Sequence, residues 1–353
     1  MIGGGGRRGA YKTLSAILDF CVAAAGVSVR QRVRRSTPVD NAGEVASLPV
    51  GKRERAMTIR PRRSVLYMPG SNARALEKAR ELPVDAVILD LEDAVAPDAK
   101  ATARELIVRA LQNGGFGNRE VLVRINGLDT AWWHDDLAVA AARPDALLVP
   151  KVSAPEQLRE VAKHLVGVRA EAGVRLWAMM EAPLAMLNAR EIAAAARDPL
   201  TRLAGFVMGT NDLAKDTRAR IVPGRAPMLP WLMTCVAAAR AYGLDILDGV
   251  YNELGNTEGF AAECRQARDL GFDGKTLIHP QQIAPCNEAF SPTPDEVAWA
   301  RKIIAAFDFP ENANKGVIQI DGRMVERLHA DMARRTVAIA DAIETQNSGV
   351  GKP

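Results

Sequence analysis

Cysteine is scarce in this 353-residue chain, with only Cys21, Cys235, Cys264 and Cys286, and no two of them form a CxxC pair. That spacing argues against a thiolate zinc site and against a disulfide scaffold, and leaves the expectation of reduced, partly buried thiols in a cytoplasmic protein. Histidine is equally scarce: His134, His164, His279 and His329 show no HExxH or other ligand spacing, so a histidine-based metal site is not expected. There is no GxGxxG phosphate loop, no internal repeat and no low-complexity segment beyond the N-terminal tail. The longest apolar stretch, Leu14 to Val29, is interrupted by Asp19 and is followed by no clean cleavage site, which argues against a membrane span or a secretory signal.

What is there is ordinary for a soluble globular chain: 48% apolar and 25% charged residues around a net charge of +4. The positive charge is local. Residues 1–56 carry ten Lys/Arg against four Asp/Glu, whereas 57–353 carry 36 against 38. No basic face marks the main body, so nucleic acid is not an expected partner. The segment 1–56, with GGGGRRG and an arginine cluster at Arg30, Arg32, Arg34 and Arg35, is expected to be a disordered tail or translated upstream sequence ahead of a start at Met57. Its Arg-rich, acid-poor character also fits a transit peptide.

From residue 64 onward, short hydrophobic runs alternate with amphipathic stretches. The runs are Val65–Pro69, Ala86–Asp93, Val121–Asn126, Ala146–Val152, Arg175–Glu181, Gly205–Asp212, Leu244–Tyr251 and Asp273–Pro280. Near-continuous apolarity is the pattern of strands buried on both faces. Eight of them with intervening helices predict an α/β fold, a (β/α)8 TIM barrel over residues 57–290. Helix starts are placed at Ser71, Asp98 and Ser153. Residues 291–353 are predicted as a C-terminal helical extension: a helix over Pro294–Phe307, a turn at Asp321-Gly322 and a last helix over Arg323–Ile343.

Chemistry in this fold sits at the C-terminal strand ends. Those ends carry Asp90-Leu91-Glu92-Asp93, Arg124, Lys151, Glu181, Gly209-Thr210-Asn211-Asp212, Asp248 and His279. Glu181 and Asp212 lie on adjacent strands, and two carboxylates with open positions suit Mg²⁺; each acid alone would read as a helix cap or a surface ion pair. Arg124 ends a buried strand and needs an anion there, either a substrate carboxylate held bidentately or an ion pair with Glu92 or Asp93. Lys151 is open between the substrate and an acidic neighbour. Backbone N–H groups of Gly209, Thr210 and Asn211 can receive a carboxylate.

RSVLYMPGS, DLEDAV, VRINGLDT, VPKV, MMEAP, MGTNDLA and GFDGKTLIHPQQI occur in this order from Arg63 onward. Together they resemble the citrate lyase β-subunit-like family of the HpcH/HpaI aldolase superfamily, which includes malyl-CoA, citramalyl-CoA and citryl-CoA lyases. The resemblance implies a (β/α)8 barrel in homotrimers or homohexamers. It implies Mg²⁺, with Mn²⁺ as a substitute, on Glu181 and Asp212. Arg124 would hold the substrate carboxylate, with Glu92 near the metal waters. Coenzyme A enters as part of the substrate and a keto acid as co-product. The C-terminal extension would complete a neighbouring subunit's site, with Glu326 as acid/base where many lyases of the family carry an Asp. MGTNDLAK, LDGVYNE and DGRMVERLH resemble a branch of (3S)-malyl-CoA thioesterases. The implied activity is therefore C–C cleavage of a short 3-hydroxyacyl-CoA. The alternatives are hydrolysis of the malyl-CoA thioester, a β subunit of a citrate lyase complex acting on an acyl carrier protein, and a non-catalytic binding module.

Overall fold

A computed structural model of the chain describes residues 59–167 and 173–349. The expectations for residues 1–56, including Cys21 and a start at Met57, lie outside them. Eight strands follow one another: β1 (Ser64–Pro69), β2 (Ala86–Asp90), β3 (Glu120–Arg124), β4 (Ala146–Val149), β5 (Arg175–Met180), β6 (Leu203–Met208), β7 (Asp245–Asp248) and β8 (Gly274–Leu277). Each pairs in parallel with its sequence neighbours, and β8 returns to β1, so the sheet closes into the expected (β/α)8 barrel.

The two-sided burial that makes the runs so apolar is visible residue by residue. Val65, Ile88, Leu122, Leu148, Trp177 and Val207 fill the barrel interior. Their strand neighbours Leu66, Leu89, Val123, Leu147, Leu176 and Phe206 face the helices in a second, larger core. This is the alternation of a pleated strand with both faces covered. The Trp177 ring lies across β6 at Gly205, where a Cβ would come within 2.5 Å of it. The helices between the strands include α1 (Ala73–Lys78), α2 (Lys100–Asn113), α3 (Trp133–Asp136), α4 (Pro155–Gly167), α5 (Pro183–Leu187), α6 (Ala189–Ala194), α7 (Thr210–Thr217), α8 (Leu229–Tyr242), α9 (Thr257–Asp269) and α10 (Ile283–Phe290).

The cap residues differ from the sequence expectation. Asn72, not Ser71, caps α1, its side chain accepting from the Ala75 N–H at 3.1 Å. Asp98 lies within a 3-10 turn ahead of α2. At α4 the Gln157 side chain, not Ser153, accepts from the N–H groups of Ser153 and Ala154. The expected strand ends also shorten: β6 stops at Met208, and Asp212 falls in the first turn of α7.

The largest departure is in the extension. After α11 (Pro294–Asp308), the chain forms a hairpin of β9 (Val317–Ile320) and β10 (Arg323–Glu326), and the last helix, α12 (Arg327–Gly349), begins four residues later than expected. The cause is the Asp321-Gly322 turn, with φ of 50° and 77°. Positive φ at both central residues is the hairpin geometry whose twist matches the flanking strands. Ile320 and Val325 then bury against Ile303 and Phe307 of α11.

A largely buried ion network braces the barrel wall. Asp248 at the end of β7 accepts from Arg225 Nη1 at 2.7 and 2.8 Å and from Lys275 Nζ at 2.7 Å. Lys275 also meets Glu263 at 2.7 Å. Burial would raise the Asp248 carboxyl, but Lys275 and Arg225 hold it below its ordinary value. Asp248→Ala would leave two buried cations facing Glu263 alone, and a loss of about 3–5 kcal/mol is expected in urea unfolding. A loss under about 1 kcal/mol would show that the network is dispensable.

Candidate active site

Asp90 and Arg124 end neighbouring strands and stand opposite one another in register. A guanidinium at the top of a packed barrel requires an anion, because an unpaired buried charge is costly. Asp90 provides it bidentately: Arg124 Nε donates to Oδ1 at 2.7 Å and Nη2 to Oδ2 at 2.6 Å. This corrects the expectation that the fork of Arg124 is open to a substrate carboxylate. What remains is the Nη1 edge, which meets Glu92 at 2.7 Å and Asp93 at 3.6 Å. The ion pair considered for Glu92 or Asp93 is therefore present, on the edge that Asp90 leaves. Asp90 also accepts from the N–H groups of Glu92 and Ala94, which folds the turn after β2. The Lys100 ammonium closes the same turn by donating to the carbonyls of Leu91 and Glu92 at 2.7 and 2.8 Å.

Glu181 follows β5 and is 1% exposed. Its Oε1 accepts from the Lys151 N–H at 2.7 Å, and Lys151 takes a left-handed backbone, φ 54°, to present it. The other side of the carboxylate packs on Gly209, where any Cβ would collide with Glu181 Cβ and Oε2. The glycine ahead of α7 is thus required by close approach. Burial pushes the Glu181 carboxyl from an ordinary 4.5 up to about 8, with Glu92 and Asp212 adding to the rise against the Lys151 N–H and Arg124. Burial raises Glu92 as well, against the pull of Arg124 and Lys151. The Lys151 ammonium lies 3.0 Å from Glu92. Asp212 is half-buried, and among the described residues its cation partner is the exposed Lys215, at 3.9 Å.

The charges at the mouth therefore sort unevenly. Asp90 neutralises Arg124 and Lys151 serves Glu92, while among the described residues Glu181 has no ion-pair partner and Asp212 has only the distant, exposed Lys215. Among the described residues, no three His, Cys, Asp or Glu side chains have the spacing to cage a metal by themselves. Two carboxylates with the other positions left to water and substrate oxygens are nevertheless the donor set that a hard divalent cation accepts.

Of the expected residues, the structure gathers Arg124, Glu92, Lys151 and Glu181, with Gly209, Thr210 and Asp212 beside them. Asn211 is present, but its amide pairs reciprocally with Asn252 at 2.7 and 3.3 Å. The expected Gly209 donor is taken, its N–H donating to the Met180 carbonyl at 3.1 Å, which leaves the backbone N–H groups of Thr210 and Asn211 as the local donors. Glu326 is not brought there. It ends β10, and α12 after it passes the opposite end of the barrel, where Arg335 meets Asp273 just before β8 at 2.9 Å. Sequence reading missed the role of Asp90, although its place beside Arg124 at the ends of adjacent runs was the available signal. It also missed Tyr67, whose ring covers the Arg124 guanidinium at 4.9 Å.

A closed eight-stranded barrel carrying an acid pair, an arginine and a lysine at its C-terminal mouth defines a barrel enzyme of the carboxylate-rich kind. Residues 63–280 match the HpcH/HpaI aldolase/citrate lyase family, and the chain belongs to it. The chain is 52% identical over 284 residues to a (3S)-malyl-CoA thioesterase of Cereibacter sphaeroides, spanning 80% of this chain and 96% of that protein. It is 34% identical over 288 residues to the citrate lyase subunit beta of Escherichia coli, spanning 80% and 94%. The structure of protein CitE from Mycobacterium tuberculosis in complex with magnesium, acetoacetate and coenzyme A superposes with a TM-score of 0.63 at 29% identity, covering 80% of this chain and 98% of that one. The family thus comprises citrate lyase β and malyl-CoA-related enzymes. Among the described residues, no helix is long and apolar enough to cross a membrane.

The raised Glu181 carboxyl has a consequence for stability. The folded state keeps a proton that the unfolded chain loses near 4.5, so stability without divalent cations is expected to fall as pH rises from about 4.5 to about 8, and to level off above it. Thermal unfolding across that range in chelator should show the decline, and Glu181→Gln should flatten it. An equally steep decline in the variant would assign the effect elsewhere.

Proposed function

We propose that the protein is a Mg²⁺-dependent enzyme that hydrolyses the thioester of (3S)-malyl-CoA or a closely similar short 3-hydroxyacyl-CoA. The observation that carries this reading is the weakly compensated acid pair of Glu181, buried without an ion-pair partner among the described residues, and Asp212, which meets only the exposed Lys215 at 3.9 Å. The 52% identity to a (3S)-malyl-CoA thioesterase supports the substrate and the reaction. Glu181 and Asp212 would hold Mg²⁺, or Mn²⁺ in its place, with Glu92 near its waters. The bound cation supplies Lewis-acid polarisation of substrate oxygens. The Nη1 edge of Arg124 and the N–H groups of Thr210 and Asn211 orient the substrate carboxylate. Lys151 stands beside Glu92, within the same mouth, to meet the thioester.

Glu326 comes from a neighbouring copy in this proposal, the extension 291–353 completing that copy's site in a homotrimer or homohexamer. Two observations support it: Glu326 is remote from its own mouth, and Met324 and Leu328 on either side of it are 72% and 53% exposed. Glu326 takes a proton from water as the oxygen attacks the thioester carbonyl. The C–S bond breaks, the proton passes to the departing sulfur, and malate and coenzyme A result.

A second reading is the C–C lyase, favoured by the citrate lyase β relative. There Glu326 protonates the acyl-CoA enolate after a keto acid such as glyoxylate departs. Incubation with malyl-CoA and Mg²⁺ separates the two. Free thiol trapped by a disulfide reagent without glyoxylate supports hydrolysis, and glyoxylate trapped by phenylhydrazine without thiol supports the lyase. Glu181→Ala and Asp212→Ala should each lower turnover by ~100-fold or more. Full activity in either variant without added metal would remove the metal assignment.

A further inference from the structure

Tyr67 stands in the upper half of β1 and faces the barrel interior, two residues above Val65. Its ring lies over Arg124 on β3, and its hydroxyl reaches Met179 on β5 at 3.9 Å. Alternate strands supplying one layer of inward side chains is the packing rule of this barrel, so Tyr67, Arg124 and Met179 form the layer directly beneath the mouth. Within it, two donors share one acceptor. Arg124 Nη1 approaches Met179 Sδ at 3.8 Å and the Tyr67 hydroxyl approaches the same sulfur at 3.9 Å. A thioether is a weak acceptor. The only hydrogen-bond partner of the Tyr67 hydroxyl among the described residues is that sulfur.

We propose that Tyr67 is a substrate-binding and specificity-determining residue: its hydroxyl and the Nη1 group of Arg124, which also pairs with Glu92, together receive one carboxylate of the acyl group. This rests on the function proposed above and deepens it. The convergence of the two donors on one point is what a carboxylate oxygen requires, and an oxygen that displaces the Met179 thioether would be a stronger acceptor for both. Burial pushes the phenol well above its ordinary range, with Asp90, Glu181 and Glu92 adding to the rise against Arg124, so the group stays a donor throughout the working range. The ring has a separate task, since its face steadies the guanidinium that Asp90 holds from the other side. Acyl-CoA esters that bear a carboxylate are thereby favoured over those that lack one.

Two variants of the full chain with Mg²⁺ test this, with (3S)-malyl-CoA as substrate and acetyl-CoA, which lacks the acyl carboxylate, as competitor. Tyr67→Phe keeps the ring and removes only the hydroxyl. It should raise the KM for malyl-CoA about tenfold, as the loss of one hydrogen bond to a charged group does. The inhibition constant of acetyl-CoA and the thermal midpoint should stay at the wild-type values. Tyr67→Leu should add a fall in kcat, because Arg124 then loses its cover. A Tyr67→Phe protein with wild-type KM beside an impaired Tyr67→Leu would show that the ring is only packing, and would overturn the assignment while leaving the proposed function intact. A wild-type protein that neither turns over malyl-CoA nor binds it by calorimetry would remove the proposed function, and this assignment with it.

Discussion

The pair between Arg124 and Asp90 organises the mouth of the barrel. Because Asp90 takes the Nε and Nη2 donors, the guanidinium is held flat against the top of the core with one edge left over. The same carboxylate folds the turn that carries Glu92 inward, and Lys100 fixes that turn from its other side. Glu92 then absorbs Lys151, whose backbone in turn anchors Glu181. Each contact fixes the next, and the result is an arrangement in which Arg124, Lys100 and Lys151 are all committed before Glu181 is satisfied. An uncharged core could not produce this. The mouth carries an excess of negative charge in a poorly solvated place, and burial beside Glu92 and Asp212 pushes the Glu181 carboxyl up.

The fold was legible in the sequence because strands buried on both faces leave an unmistakable trace. Val65 and Leu66, Ile88 and Leu89 are apolar for different cores, yet both are apolar. Strand ends were less legible. Asp212 reads as the end of a hydrophobic run, but Gly209 turns the chain into a helix because the Glu181 side chain occupies the space of a Cβ. That contact joins two strands and has no local signature. The hairpin before α12 was hidden for a similar reason: Arg323–Glu326 has a composition compatible with a helix, and only the Asp-Gly turn with its left-handed backbone decides otherwise.

The site was legible by residue type and less so by role. Strand ends rich in polar groups identified Arg124, Lys151, Glu181 and Asp212, but could not distinguish them from Asp248 and His279, which also end strands. Asp248 serves a buried ion network, and His279 accepts from the Gln281 N–H to cap a 3-10 turn. The difference lies in what each side chain faces. Asp248 points outward to Lys275 and Arg225, and Arg124 points inward to Tyr67 and Met179. A one-residue shift in strand register exchanges these two directions. Partner identity is therefore a property of the closed sheet, and Asp90 could be recognised as the partner of Arg124 only once β2 and β3 were aligned.

Glu326 extends this argument beyond a single chain. Under the proposed function, the mouth would offer donors for a carboxylate and a place for a cation, which are the needs of substrate binding common to hydrolysis and C–C cleavage. The step that separates the two reactions is the delivery of a proton or a water, and Glu326 is held on a hairpin that leads into α12 at the far end of the same barrel. If another copy supplies it, reaction choice is set by how that hairpin sits over a neighbour's mouth. A glutamate is one methylene longer than an aspartate, so the same backbone placement would bring its carboxylate nearer the thioester carbonyl or farther from it. Binding chemistry would then be fixed by the barrel's own charge arrangement, and reaction chemistry by the packing between copies. Two enzymes could share every residue of the mouth and still differ in the bond they break.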